Sequence, residues 1–153
     1  MLIRKAKLTD LKDLISLQRE LVLYERKFDP RKRRGVLYYP RNDMARMIRS
    51  INANVLVALD SQEKITGCCL GSISKSEGWD ASLKKGYIGM MIINAGSRGK
   101  GIGNMMMEKL LQWFRRRKIT DVQLCVYPDN TVAKSFYKKF GFQDHLLYMR
   151  KLG

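Results

Sequence analysis

The spacing of apolar residues near the start of the chain predicts a strand followed by an amphipathic helix. Met1 to Lys7 can form the strand, and Thr9 is the expected N-cap of the helix, with Asp10 and Asp13 in its first turn. Asp29–Pro30 is the expected end of the helix. The apolar face has helical spacing with one polar break, a glutamine. That face consists of Leu11, Leu14, Ile15, Gln18, Leu21, Val22 and Phe28.

A second helix and a β-hairpin are predicted next. The basic loop Arg31 to Gly35 leads into this short helix. Asn54 to Asp60 and Ile65 to Ile73 read as two strands joined by a turn, and the polar segment Lys75 to Lys85 reads as a loop. One face of the second helix is expected to carry Met44, Met47, Ile48 and Ile51.

The second half of the chain alternates strands and helices. Tyr87 to Asn94 is a predicted buried strand, and Asp121 to Tyr127 is another. A helix from Thr131 to Phe140, closed by Gly141, and a last strand from Phe142 to Lys151 follow. Between the two strands lies a long helix whose expected inward face has strong 3.6-residue spacing. That face is Ile102, Met105, Met106, Leu110, Trp113 and Phe114.

The element order predicts an α/β fold with a mixed sheet and helices on both faces. A length of 153 residues fits a single domain over the whole chain, 1–153. The longest apolar stretch, near Ile88 to Ile93, is too short to cross a membrane, and the N-terminus lacks a secretory apolar region. A cytoplasmic protein with no membrane partner is therefore expected.

The cysteine and histidine content argues against a metal site, whereas the net charge favours anionic partners. Cys68, Cys69 and Cys125 lie in strand-like runs and are expected in the core, and with His145 as the single histidine no protein metal site is expected. Thirty Lys and Arg residues against 14 Asp and Glu give a net charge of +16, which favours anionic partners. Nucleic acid, an acidic protein and a phosphate-rich cofactor all qualify.

The strongest local signal for chemistry is the segment Arg98-Gly99-Lys100-Gly101-Ile102-Gly103, between the buried strand and the long helix. Alternating glycines allow a close approach of the backbone, and the first N–H groups of the helix are available to an anion. The segment therefore predicts a pyrophosphate site. A glycine-rich turn made only for tight strand–helix packing is the alternative.

Two segments resemble motifs of the GNAT superfamily of acetyl-CoA-dependent N-acetyltransferases. Tyr87 to Gly103 is similar to the family's motif A, whose Gln/Arg-x-x-Gly-x-Gly/Ala core is matched by Arg98, Gly101 and Gly103. Val126 to Phe142 is similar to motif B. The resemblance covers essentially the whole chain and implies a mostly antiparallel twisted sheet, acetyl-CoA as cofactor and acetyl transfer to a primary amine.

The resemblance also implies roles for individual residues. The backbone of Met91, Ile92 and Ile93 would pair with the pantetheine arm and polarise the thioester carbonyl. Asn130 would contact the cofactor near its thiol end, and Tyr137 would protonate the departing thiolate. The pyrophosphate would lie against Arg98, Gly99, Lys100, Gly101, Ile102, Gly103 and Asn104.

The chain departs from the family pattern at the strand before the loop. Many members carry a glutamate base there, whereas this strand has Gly89 and Met90. Substitutes could come from the first helix and the loops, and aromatic residues near both could line an acceptor site or anchor the loops. The substitute bases are Tyr24, Glu25, Glu77 and Asp80; the aromatic positions are Tyr38-Tyr39-Pro40 and Trp79.

Three functions follow from these observations. The first is an N-acetyltransferase acting on a small molecule, a lysine or a protein N-terminus. The second is a nucleic-acid- or ribosome-associated binding module. It is supported by two basic segments, Arg31 to Arg34 and Arg115 to Lys118. The third is a CoA-binding sensor without turnover. The acceptor is unidentified, although the positive charge slightly favours one that carries carboxylates or phosphates. The chain could also form a homodimer.

Overall fold

One mixed sheet organises the computed structural model, which describes residues 1–75, 84–151 and 153. Its strand order is β1-β2-β3-β4-β5, with three antiparallel pairs and a parallel pair between β4 and β5. The strands are β1 (Leu2–Lys5), β2 (Ala53–Leu59), β3 (Ile65–Lys75), β4 (Lys84–Ile93) and β5 (Val122–Leu124). The helices are α1 (Leu11–Glu25), α2 (Arg41–Arg49), α3 (Ile102–Arg116) and α4 (Thr131–Lys138).

The helices cover both faces of the sheet, as the element order predicts. Helices α1 and α2 pack on one face and share a core with inward residues of β2, β3 and β4. Helix α3 packs on the other face, joined by aromatic residues of α4. The adjacent Cys68 and Cys69 illustrate the period-2 alternation of a strand, since each is fully buried in a different one of the two cores.

A bulge in β4 changes which face its side chains occupy. Leu70 of β3 pairs with Met90 and the next residue, Gly71, pairs with Ile88, so Gly89 is left over in the register. Ile88 therefore packs in the α3 core, whereas Met90 and Ile92 pack in the α1–α2 core. An unbulged strand would place all three on one face.

Two glycines on neighbouring strands, Gly71 and Gly86, make room for a large side chain of α3. A Cβ atom at Gly86 would lie 2.6 Å from the Phe114 ring, and one at Gly71 would lie 2.9 Å from it. Both distances are too short for real contacts, so the missing side chains make the space that the buried Phe114 ring fills. This packing sets how closely the C-terminal part of α3 approaches β3 and the start of β4.

The start of α1 differs from the prediction. Leu8–Asp10 form a short 3-10 turn, and Thr9 lies inside it instead of capping α1. The Asp10 carboxylate accepts a hydrogen bond from the Lys7 backbone N–H at 2.7 Å and forms two bonds with the Arg4 guanidinium, at 2.7 and 3.0 Å. The ion pair with Arg4 of β1 holds Asp10 at the N-cap position of α1. The spacing of polar residues along the chain does not reveal this contact with another element.

Replacing Asp10 with asparagine is expected to lower the free energy of unfolding by about 1–3 kcal/mol at neutral pH, because the partly buried Arg4 loses its carboxylate. The hydrogen bond from Arg4 is the main cause of the lowered pKa of Asp10. A carboxylate whose pKa is lowered in the folded state stabilises the fold at pH values above its unfolded pKa of about 3.9. This stabilisation is lost as the pH falls through the folded-state pKa.

Urea unfolding of both proteins at neutral pH and at low pH measures this effect, and the difference should shrink on acidification. Asp43→Asn is the matched control, because Asp43 forms an exposed ion pair with Arg46 and should change stability by less than about 1 kcal/mol. Equal effects of the two substitutions would contradict the role of Asp10.

The end of the chain also differs from the prediction. Residues 142–151 contain no assigned strand, and β5 is limited to Val122–Leu124 rather than reaching Tyr127. A strand needs a partner edge for its backbone, and alternating side chains alone do not supply one. Phe142 packs against the α3 core, but the apolar side chains from 146 to 149 are exposed, and Arg150 contacts Asp29 at 3.4 Å. The exposed side chains are Leu146, Leu147, Tyr148 and Met149.

Three residues expected in the core are exposed instead. Ile51 follows the end of α2 and is 75% exposed, Met105 lies on the outer side of α3, and Cys125 follows the last residue of β5. Met107 takes the buried place on α3. The ends of the predicted loop from Lys75 to Lys85 are strand instead, since β3 extends to Lys75 and β4 begins at Lys84.

Candidate active site

Strands β4 and β5 separate at the point where the site begins. They pair from Gly86 to Ile88 on β4, and β5 then ends at Leu124 while β4 continues to Ile93. In the described part of the chain, the side of β4 that faces away from β3 therefore carries no paired strand beyond Ile88. Met91, Ile92 and Ile93 lie on this open stretch, where an extended ligand could add itself as a strand.

The loop after β4 forms a concentrated positive site at the start of α3. Gly101 is the N-cap residue and provides no side chain to the first helical N–H groups, so these remain available to an anion. Arg98 and Lys100 are exposed beside it and donate to the backbone oxygens of Ile93 and Gly96, at 3.0 and 3.4 Å. Within the described residues, neither cation is paired with a carboxylate.

The glycines of this loop are present for two different reasons. Gly99 and Gly101 have φ angles of +77° and +74°, and a Cβ at either position would meet no atom within 4 Å. Their backbone conformation needs glycine, and the space in front of them is open to a ligand. A Cβ at Gly103 would lie 3.3 Å from Phe136, so this glycine lets α3 approach α4. Of these three glycines, only Gly103 is explained by close packing of the elements.

Ile102 and Asn104 complete the loop that was predicted to hold the pyrophosphate. Ile102 is buried in the α3 core and offers only its backbone N–H to a ligand. Asn104 is exposed in the first turn of α3, so its side chain is accessible from the same end of the helix. The loop is therefore brought together as one surface, with its cations and backbone donors at one end of α3.

Tyr24 connects this loop to the start of α4. The Arg98 guanidinium lies over the Tyr24 ring at 5.3 Å, and the Tyr24 hydroxyl donates to Asn130 Oδ1 at 3.5 Å. Asn130 is buried and also accepts from the Ala133 N–H at 3.2 Å, which makes it the N-cap of α4. Tyr24, named as a substitute base, is thus placed as a bridge between two cofactor-side elements.

Tyr137 lies on the α3 side of the sheet, among aromatic residues. Its ring is 5.3 Å from Phe136 and 5.9 Å from Phe142, both in edge-on arrangements. Burial raises the pKa of Tyr137 to about 12, with smaller contributions from Cys69 and Glu25 nearby. Met91 and Ile93 of the open stretch pack against the same core as Tyr137, so this ring lies on that face of β4. The phenol stays protonated at neutral pH and can donate a hydrogen bond there.

Glu25, another substitute base, is already engaged in a polar cluster. Its carboxylate contacts the Lys32 ammonium and the Tyr38 hydroxyl, which also contact each other. Burial first, and then Glu25, raise the pKa of Tyr38 to about 12. The Lys32 ammonium also lies over the rings of Tyr38 and Tyr127, at 4.2 and 5.4 Å. Glu25 Oε2 is thus already occupied by two donors. Glu77, Asp80 and Trp79 lie outside the described residues.

Sequence reasoning missed the link between Gln18 and Tyr39. Gln18 is completely buried on α1; its amide donates to the Tyr39 backbone oxygen at 3.0 Å and accepts from the Tyr39 N–H at 2.9 Å. The one polar break in the apolar face of α1 was the signal that could have found it, because a buried amide requires partners. Tyr39 thus packs beside the sheet, whereas Tyr38 is exposed and contacts Lys32 and Glu25.

Comparison with known proteins identifies the family. Residues 16–142 match the acetyltransferase (GNAT) family. The chain belongs to the GNAT family. The resemblance stated from motifs A and B is thereby confirmed. Among the described residues, no helix has the length and apolar character that a membrane crossing requires.

Relatives and solved structures place this GNAT chain more closely. N-alpha-acetyltransferase 30 of Schizosaccharomyces pombe is 31% identical over 86 residues, 56% of this chain and 55% of that protein. The chain's matches span 37% to 55% of the length of the curated relatives. A mutant protein from Bacillus halodurans has a TM-score of 0.88 at 22% identity, with 99% of both chains covered.

A further solved structure of similar fold was determined with acetyl-CoA. It is described as a predicted acetyltransferase from Clostridium acetobutylicum with acetyl-CoA, and it has a TM-score of 0.75 at 21% identity, covering 99% of this chain and 95% of that one. At these identities the solved structures establish a shared fold, and the mixed, mostly antiparallel sheet with helices on both faces is confirmed.

Proposed function

We propose that this GNAT acetyltransferase transfers the acetyl group of acetyl-CoA to a primary amine by direct attack in a ternary complex. The observation that carries the proposal is the open stretch of β4 between Ile88 and the cationic loop at the start of α3. A ligand with a pyrophosphate at one end and an extended amide-bearing arm at the other fits both features. The neighbouring fold that contains acetyl-CoA supports the same donor.

The chain's own residues supply three actions in this reaction. The first-turn N–H groups of α3, Arg98 and Lys100 hold the pyrophosphate, while the backbone of Met91 to Ile93 bonds the arm and polarises the carbonyl. Acetyl-CoA provides a thioester, whose C–S bond breaks as the amine nitrogen forms the new C–N bond. Tyr137 donates a hydrogen bond to the departing sulfur, and the proton lost from nitrogen ends on sulfur or in solvent.

Asn130 is proposed to act near the thiol end from its place at the start of α4. Its Oδ1 is committed to the Ala133 N–H and the Tyr24 hydroxyl, so its amide N–H groups are the ones available to the cofactor. The acceptor class stays open between a small molecule, a lysine and a protein N-terminus. A single domain over 1–153 and a cytoplasmic location are proposed with this function.

Removing the charges of the loop tests the cofactor site. Arg98→Gln/Lys100→Gln is expected to weaken acetyl-CoA binding about 10- to 100-fold, because two charge-assisted contacts to phosphate are lost. The loss should shrink as salt is raised. Isothermal titration of acetyl-CoA measures both effects.

Arg115→Gln/Arg116→Gln is the matched control, since it removes two exposed cations from the other end of the same helix. That end lies about 22 Å away for 15 residues of α3. Equal losses in the two variants would contradict a pyrophosphate site in the loop and would favour a nonspecific effect of the net charge.

Thiol release in the presence of an amine panel separates the proposed enzyme from the two alternatives. The panel comprises propylamine, a peptide with one free lysine and a peptide with a free N-terminus. Release with one class identifies the acceptor class. Binding of acetyl-CoA without release from any of them favours the CoA-binding sensor, and salt-dependent RNA binding without acetyl-CoA binding favours the nucleic-acid module.

A further inference from the structure

The bulge in β4 marks the place where the reacting end of the donor would lie. A pantetheine arm that starts at the loop after Ile93 and runs back along the open stretch must stop where β5 closes against β4, at Ile88. From Ile93 to Gly89 the strand covers roughly 13 Å, at 3.3 Å for each residue. The thioester end is therefore expected beside Gly89, on the proposed function stated above.

The Tyr39 hydroxyl occupies the position that a side chain at Gly89 would take. A Cβ atom at Gly89 would lie well inside van der Waals contact of the Tyr39 hydroxyl and 3.0 Å from Tyr39 Cζ. The polar group at this point of the sheet thus comes from the segment before α2 and not from β4. In the described part of the chain, no hydrogen-bond partner of this hydroxyl is found.

Gln18 fixes the backbone of Tyr39 with both groups of its amide. The two bonds, at 3.0 and 2.9 Å, come from a side chain with no exposed surface. Leaving a buried amide unpaired costs free energy, so the clamp resists movement of Tyr39. Holding the main chain in place also limits where the Tyr39 ring, and with it the hydroxyl, can lie. The arrangement aims one unpartnered hydroxyl at the bulge.

Tyr39 and Tyr137 approach the open stretch of β4 from opposite faces of the sheet. Tyr39 packs with the α1–α2 core, and Tyr137 packs with the α3 core. Amine attack and thiolate departure also need separate positions around one carbonyl carbon. The two hydroxyls therefore suit the two partners of the reaction, one for the incoming nitrogen and one for the outgoing sulfur.

We propose that the Tyr39 hydroxyl binds the acceptor amine, accepting a hydrogen bond from an N–H of the attacking nitrogen. The nitrogen lone pair can then point at the thioester carbonyl carbon, while the phenol oxygen fixes the orientation of the amine. Burial raises the pKa of Tyr39, so the phenol stays neutral at neutral pH and is a hydrogen-bond partner rather than a base. The proton released from nitrogen ends on sulfur or in solvent, as in the reaction proposed above.

Two stable CoA conjugates test this contact without requiring the natural acceptor. One carries CH2–CO–NH–propyl on the CoA sulfur, and the other carries CH2–CO–O–propyl, which lacks the N–H. Wild type is expected to bind the amide about tenfold more tightly than the ester, and Tyr39→Phe should abolish this preference. Unmodified CoA should bind both proteins equally. Tyr148→Phe removes a hydroxyl from an 86% exposed ring and is the matched control.

The outcomes distinguish this inference from the proposed function. Equal binding of amide and ester to wild type, or an amide preference that survives in Tyr39→Phe, would overturn the role of Tyr39 while CoA still binds. Failure of CoA and both conjugates to bind wild type would overturn the proposed function itself. With an amine that is turned over, Tyr39→Phe should raise the acceptor KM about tenfold with unchanged acetyl-CoA affinity.

Discussion

Replacing Tyr137 with phenylalanine is expected to lower kcat for acetyl transfer about 10²-fold, while the affinity for acetyl-CoA stays unchanged. The substitution keeps the ring that packs against Phe136 and Phe142, so the aromatic cluster should survive. Only the proposed hydrogen bond to the developing thiolate is removed. Such a contact strengthens as negative charge forms on sulfur, and its loss therefore appears in kcat and not in binding.

The raised pKa of Tyr137 decides which form of the hydroxyl takes part. At about 12 it lies well above that of an ordinary thiol, about 8.5, so hydrogen-bond donation is favoured over complete proton transfer. Loss of the Tyr137 proton should not lower the rate between pH 7 and about 10. The rate should instead rise with pH as the acceptor amine becomes neutral.

Steady-state kinetics across pH, with the amine identified from the panel, check this prediction. Tyr148→Phe again provides the control, because it removes a hydroxyl from a ring that is almost fully exposed. A Tyr137→Phe enzyme with wild-type kcat at saturating substrates would remove Tyr137 from the reaction. Weakened acetyl-CoA binding with unchanged kcat would assign it to binding instead.

Replacing Gly89 with alanine is expected to lower the free energy of unfolding by about 1–3 kcal/mol, because the new methyl group overlaps the Tyr39 hydroxyl. Tyr39 cannot withdraw easily, since its backbone is clamped by Gln18. The same overlap should displace the hydroxyl from the bulge and reduce amine-dependent turnover. Acetyl-CoA binding at the cationic loop should persist.

A double-mutant cycle isolates the overlap. In the Tyr39→Phe background the hydroxyl is absent, so Gly89→Ala should cost less, with a coupling of about 0.5–3 kcal/mol in urea unfolding. Gly96→Ala is the matched control: its Cβ would come no closer than 3.9 Å to Asn94 Oδ1. Additive effects of Gly89→Ala and Tyr39→Phe would show that the hydroxyl does not occupy the Gly89 position.

The positive surface needs no dedicated nucleic-acid function to account for its local arrangement. Part of it is the cationic loop at Arg98 and Lys100, and another part, Lys32, is paired with Glu25. The exposed cations at the C-terminal end of α3 suit the negative end of its dipole. RNA binding thus remains an outcome to be measured rather than one that the described contacts favour.

The sequence by itself determined most of the helices and strands, the family and the cationic loop. Hydrophobic spacing in α1, α2 and α3 and the runs in β2 to β4 are local properties, and local periodicity fixes the type of element. Arg98, Gly101 and Gly103 lie within six residues, so their proximity is guaranteed by the chain itself. Motifs of this kind can be recognised in the sequence without knowledge of any tertiary contact.

Only the tertiary structure decided the contacts between residues far apart in the chain. The bulge at Gly89 depends on its register with β3, the absence of a last strand depends on a partner edge, and the Asp10 contact depends on Arg4 in another element. The Gln18–Tyr39 clamp spans 21 residues and places a hydroxyl over a glycine 50 positions later in the chain. Sequence spacing carries no information on such distances, because packing of the helices on the sheet sets them.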